Sequence, residues 1–236
     1  RLAPLLPTCH YTRKNLGYLH ALSQGADCIY ETDDDNAPRE CWQPREREVT
    51  ARAVAADRTP SGPVWANAYR YFTADHIWPR GFPLEAVQES PPPAGDPTHT
   101  EKAPIQQSLV NGMPDVDAVW RLVLDRPFVF DNMPSVRLLP GVWCPFNTQS
   151  TWWWPEAYPL MYVPSNCSFR MCYIWRGFVA QRCLWELGLG VVFHAPEVVQ
   201  ARNKHDLMRD FHDEIPGYEG NSRLVSVLEE LNLDKR

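Results

Sequence analysis

Apolar and polar positions alternate along the chain with two different periods. From Thr12 to Gln24, Leu16, Leu19 and Leu22 recur with Tyr18 and Ala21 at helical spacing, and Gly25 stands where such a helix would be capped. A short apolar run over residues 28–31 follows at once and reads as a strand. Residues 37–63 and 89–102 break the pattern and read as loops, with a short exposed helix expected over Arg45 to Asp57. The second loop, with Pro91, Pro92 and Pro93, is expected to close over a bound donor. Val64 to Tyr69 resumes order. Ile105 to Val110 reads as a short helix ended by Asn111 and Gly112, and Ala118 to Leu122 as a helix opened by Asp117. Phe169 to Leu187 is the longest helical stretch, with Cys172, Trp175, Val179 and Cys183 on its apolar face, and Gly190 to His194 is a buried strand. Asn221 to Asp234 closes the chain as an amphipathic helix with Leu224, Val225, Leu228 and Leu231 inward. Helices alternating with strands make this an α/β chain.

Composition narrows the class. A chain of 236 residues, 44% hydrophobic with ten Trp, suits a single domain spanning 1–236 with a real core. The net charge of −6 argues against a nucleic-acid binder, and no uncharged apolar run reaches membrane-spanning length. A chain that opens at Arg1 without Met is expected to have lost something upstream, an N-terminal anchor being one option. Seven Cys without a Cys-x-x-Cys spacing exclude a zinc ribbon and leave the compartment open.

The strand at 28–31 ends in Asp33-Asp34-Asp35-Asn36. Adjacent carboxylates repel one another, and a hard divalent cation such as Mn²⁺ or Mg²⁺ relieves that cost while keeping phosphate oxygens in its shell. The plain alternative is a solvated acidic turn. Arg13 and Lys14 stand in the first turn of the preceding helix, where the dipole prefers anions, so they suit a phosphate or simply solubilise the surface.

Three stretches together carry a resemblance: Arg13-Lys14-Asn15-Leu16-Gly17-Tyr18, Gly25-Ala26-Asp27 and the Asp triplet. Four further blocks extend it: Ile77 to Glu85, Ile105 to Ser108, Gly112 to Asp117, and Gln181 to Gly188. In order and spacing the chain resembles the nucleotide-sugar half of a GT-A-type glycosyltransferase, and more closely the STELLO-like family of plant Golgi proteins. The resemblance implies a Rossmann-like sandwich with a mixed central sheet. The segment before Thr12 is too short for the βαβ unit that usually opens such a fold, so that unit is expected to be incomplete. It further implies that Asp35 binds metal, that Asp33 meets ribose, sugar or metal, and that Asp34 lies beside them.

Other candidates follow along the chain. Arg80, in Trp78-Pro79-Arg80-Gly81, could grip a phosphate bidentately or be held by a carboxylate. Inverting glycosyl transfer needs a carboxylate base, for which Asp115, Asp117 and Glu186 are candidates. Asp117 also fits a helix N-cap, and Arg182 lies one turn before Glu186 and could simply pair with it. Where the family often carries Asp, three residues before Arg176, this chain has Tyr173. The aromatic run Val142 to Pro164 could stack on a sugar, although at least half of its rings are expected in the core. His205 is the candidate to complete a metal shell, with His194 second, and Arg202 and Lys204 are candidate diphosphate contacts.

These readings converge on a metal-dependent glycosyltransferase that uses Mn²⁺ or Mg²⁺, a nucleotide-sugar donor of the nucleoside diphosphate type and a hydroxyl acceptor such as a glycan. No nucleic-acid partner is expected, and a homo-oligomer is possible. The alternatives are a non-catalytic relative that assists polysaccharide-synthase assembly, or a nucleotide-sugar mutase. The resemblance implies the Golgi lumen for an anchored protein, and the cytoplasm otherwise.

Overall fold

The computed structural model describes residues 2–56, 62–97, 99–201 and 205–233. After two 3₁₀ turns, α1 (Lys14–Ser23) leads into β1 (Ile29–Thr32) and β2 (Asn36–Pro38). There follow β3 (Glu48–Thr50), β4 (Arg52–Val54), β5 (Val64–Trp65), β6 (Thr100–Lys102) and β7 (Ile105–Gly112). After α2 (Ala118–Leu124) come β8 (Val136–Leu138), β9 (Val142–Trp143) and β10 (Ser150–Trp153). The chain ends through α3 (Cys172–Glu186), β11 (Val192–Gln200) and α4 (Leu207–Glu230).

Seven strands form one mixed sheet in the order β1-β10-β7-β11-β8-β4, and β2 pairs with the end of β11 beyond the reach of β8. β7 and β11 run parallel, whereas β10 is antiparallel to both β7 and β1. β1, β7 and β11 therefore point the same way, and their C-terminal ends open at one end of the sheet. In open α/β sheets that end is where ligands bind. This mixed α/β architecture is the one expected of a GT-A-like fold.

The central strand β7 was expected to be helical. A strand covered on both faces shows no alternation, so the run from Ile105 to Val110 carries no period that separates it from a helix. Its polar residues are matched across the sheet instead. Ser108 Oγ bonds Ser150 Oγ at 2.6 Å, and Gln106 Nε2 donates to the Glu46 carbonyl at 2.9 Å. Likewise Arg45 to Val54 forms no helix: it supplies β3 and β4, so the 37–63 stretch adds strands rather than loop alone.

α1 has the expected extent, but Leu19 and Leu22 lie exposed and Tyr18 is the side chain it buries. α4 begins fourteen residues before the predicted closing helix, because Pro216, Gly217 and Gly220 hide its period. At Gly217 a Cβ would fall 2.4 Å from Met171 Cε, so a larger residue there would have to displace the end of that side chain. Most of the aromatic run is core, with Trp143, Phe146 and Trp153 buried, while Tyr162 is exposed. Phe178 of α3 meets Trp65 and Trp143 edge-on, which fixes α3 against the β5–β9 pair. Among the described residues no helix is long and apolar enough to cross a membrane, and all seven Cys are free thiols.

Candidate functional site

At the C-terminal ends of β1, β7 and β11 lies a cavity of about 390 Å³. β1 delivers the acidic turn, so Asp33, Asp34 and Asp35 line one wall; β7 delivers Asp115 through the Met113–Val116 segment; and the chain beyond β11 delivers His205. Lys14 and Arg80 complete the predicted residues found there. Gly112 makes the convergence possible. It sits at φ +84°, and a Cβ would fall 2.5 Å from the Gln200 carbonyl.

The acidic wall is sparsely compensated. Lys14 Nζ lies 3.4 Å from Asp33 Oδ1 and 3.5 Å from Glu31 Oε1. Burial pushes the Asp33 carboxyl up; Lys14 opposes this, while Asp115 and Glu31 add to it. Asp35 Oδ1 accepts a hydrogen bond from Gln200 Nε2 at 2.8 Å. Asp34 is exposed at the mouth.

The floor is tightly tied. Arg80, 5% exposed, holds Asp115 Oδ1 in an ion pair, donates to the Tyr173 hydroxyl, and lies 4.8 Å from the centre of that ring. Asp115 Oδ2 is buried and has no hydrogen-bond partner among the described residues. The Arg80 Nη1 donates to the Arg170 carbonyl at 3.3 Å, and Arg170 in turn pairs with Glu214 of α4 at 2.7 Å and with Asp210 at 3.2 Å. Asp210 Oδ2 also meets His205 Nδ1 at 3.0 Å. A carboxylate on one ring nitrogen orients the other, as in histidines that bind metal. Tyr11 lines the cavity with its ring stacked on Phe169 at 4.4 Å, and burial raises its hydroxyl to about 12.

Other predicted residues lie elsewhere. Asp117 is fully buried as the N-cap of α2, accepting from Val119 N at 2.8 Å, and does not line the cavity. Glu186 accepts from Arg182 at 2.6 Å near the end of α3, away from the cavity. Arg13 donates to the Ala3 carbonyl at 3.3 Å rather than facing the site. His194 is buried between Ser135 Oγ at 2.6 Å and Gln106 Oε1 at 2.9 Å, and burial, aided by Arg45, lowers its pKa well below the usual range. Arg202 and Lys204 fall outside the described residues.

Sequence reasoning missed Tyr11, Arg170 and Gln200. Glutamines inside or beside strands carry no signature of a site. Tyr173, first noticed only as a departure from the family, proves to be Arg80's partner.

The fit to a divalent cation can be judged from the donors. Among the described residues no group of three His, Cys, Asp or Glu side chains could hold a metal ion by itself. The wall nevertheless sets Asp33, Asp34 and Asp35 beside Lys14, and burial holds the Asp33 carboxyl above its usual range. Carboxylate oxygens and an imidazole suit Mn²⁺ or Mg²⁺ when ligand oxygens fill the remaining positions.

Residues 170–236 match the family model described as STELLO glycosyltransferases. Over 220 residues, 84% of this chain, the sequence is 30% identical to probable glycosyltransferase STELLO2 of Arabidopsis thaliana. It is also 30% identical over 218 residues, 83% of the chain, to probable glycosyltransferase STELLO1 of the same plant. The chain spans 28% and 27% of the lengths of those two relatives.

Proposed function

We propose that this chain, which belongs with the STELLO-like glycosyltransferases, binds a nucleotide-sugar at the cavity between β1, β7 and β11 and transfers its sugar to an acceptor hydroxyl. The observation that carries this reading is the convergence of Asp33, Asp34, Asp35, Asp115 and His205 at the ends of three strands running the same way.

Asp33 and Asp35 would hold a divalent cation, with His205, oriented by Asp210, on the other side of the cavity. Such a cation supplies charge neutralisation of a departing diphosphate. Lys14, already between Glu31 and Asp33, adds a positive charge to the same wall. Arg80 does not reach out as a free phosphate clamp: it fixes Asp115 by one oxygen and leaves the other without a hydrogen-bond partner among the described residues. That second oxygen is the acceptor for the hydroxyl proton if the reaction inverts.

Calorimetric titration of nucleoside diphosphates and nucleotide-sugars, with Mn²⁺ and with chelator, tests the reading. We expect metal-dependent binding by the wild type that Asp35→Ala weakens by about a hundredfold. A folded wild type that binds none of these ligands would overturn it in favour of a partner-binding role.

A further inference from the structure

We propose that Gln149 and Gln200 form an amide relay that positions Asp35 against Asp115, and so fixes the span between the two acidic ends of the cavity. This rests on the donor-site reading above. Both are positioning residues, each at most 9% exposed.

The chain of bonds is continuous. The backbone N–H of Asp115 donates to Gln149 Oε1 at 2.9 Å, Gln149 Nε2 donates to Gln200 Oε1 at 2.8 Å, and Gln200 Nε2 donates to Asp35 Oδ1 at 2.8 Å. Its polarity is fixed from both ends. A backbone N–H can only donate and a carboxylate can only accept, so neither amide can turn over without setting two like groups against each other. In a buried chain each bond polarises the next, and breaking one leaves its neighbours unsatisfied.

The backbone around the relay joins the same segments. Asn36 Nδ2 donates to the Gln149 carbonyl, Gln200 pairs with Asn36 across β2 and with Gly112 across β7, and Ala201 N donates to the Asp35 carbonyl at 3.3 Å. The acidic turn, the start of β10, the end of β7 and the end of β11 thus meet at two glutamine side chains. Among the described residues Gln200 is the side-chain hydrogen-bond partner of Asp35, so it is Gln200 that holds the accepting oxygen in place.

The experiment is calorimetric titration of the folded chain with Mn²⁺ and whichever nucleoside diphosphate the wild type binds best. Gln149→Met and Gln200→Met keep side-chain length and remove the amide. Each is expected to weaken binding about tenfold, and the double variant to be no weaker than the worse single, because one broken link disables the whole relay. Wild-type-like binding by both Met variants, or losses that multiply in the double variant, would overturn the relay alone. Absence of binding by the wild type would overturn the relay and the donor-site reading together. Where a Met variant does not melt as a folded protein, Gln149→Asn and Gln200→Asn, one methylene too short to close the chain, carry the same comparison.

Discussion

Glu31 and Asp33 stand two residues apart and share Lys14, yet their surroundings differ. The Glu31 side chain is 2% exposed and accepts from the Tyr18 hydroxyl, from Trp153 Nε1 at 3.1 Å and from Arg176 at 3.2 Å, with Arg176 itself stacked 4.8 Å from the Trp153 ring centre. Burial pushes its carboxyl up, but Arg176, Lys14 and the Tyr18 bond outweigh that and leave it below the usual range. The Asp33 side chain is 22% exposed, has Lys14 as its ion-pair partner among the described residues, and is pushed up, chiefly by burial. One strand end thus supplies a sealed charge and an undercompensated one. The sealed charge fixes the fold beneath the cavity; the undercompensated charge is the one an arriving cation would relieve.

The sealed cluster is the place to look for the largest effect. Arg176→Met leaves Glu31 buried with its main counter-charge gone, and should cost about 3–5 kcal/mol by denaturant unfolding. Arg176→Met with Glu31→Leu should recover much of that loss, since both charges are then removed together. A single-variant cost below about 1 kcal/mol would break the comparison, because Glu31 would then be no better sealed than Asp33.

Asp117 extends the comparison to a third carboxylate, one buried like Glu31 but without a counter-charge. Burial, with Glu214 adding to it, pushes its pKa up to about 7. Glu214, which accepts from Arg170 and Ala118, and the Tyr218 hydroxyl are the other titratable groups against it. A folded pKa above the unfolded one means that the stabilising form is the protonated one. Stability should therefore be full below the unfolded value, fall as pH rises toward about 7, and level off above it. Asp117→Asn keeps the N-cap without the charge, so it should match the wild type near pH 4 and exceed it by roughly 1–3 kcal/mol at pH 8. An equal offset at both pH values would show that the carboxyl does not titrate in this way.

How far the sequence revealed this arrangement depends on the kind of signal each residue leaves. The acidic turn was legible because three consecutive carboxylates after a strand have few other uses, and Lys14, Arg80, Asp115 and His205 were found beside it. α1, α2 and α3 were legible from periodicity and their flanking glycines or caps. β7 was not, because a strand buried on both faces has no alternation, and α4 was hidden by a proline and two glycines that packing tolerates. Asp117 and Glu186 illustrate a different limit. Spacing alone could not distinguish a catalytic carboxylate from an N-cap or an i, i+4 ion pair, and the structure assigns each to the latter kind of contact. Gln200 was invisible because its work depends on Gln149, a neighbour 51 residues away in sequence.

The smallest effect is the sharpest test of the opening contrast, because it turns on sign rather than size. Asp33 has a raised folded pKa, so its ionised form at neutral pH costs stability, and that cost sets in as pH rises through the folded value. Asp33→Asn removes the cost and also the partly exposed bridge to Lys14, whose contribution is small and screened. The net change should be a gain of roughly 0–0.5 kcal/mol at pH 7. Glu31 has a lowered folded pKa, so its ionised form contributes stability above the unfolded value, and Glu31→Gln should destabilise at the same pH. Binding of Mn²⁺ with a nucleoside diphosphate should fall with Asp33→Asn even though the fold is unharmed. Two isosteric changes, two residues apart, should therefore move stability in opposite directions. If paired unfolding curves show both losing stability to the same degree, Asp33 is a second structural charge and the acidic wall is not waiting for a cation.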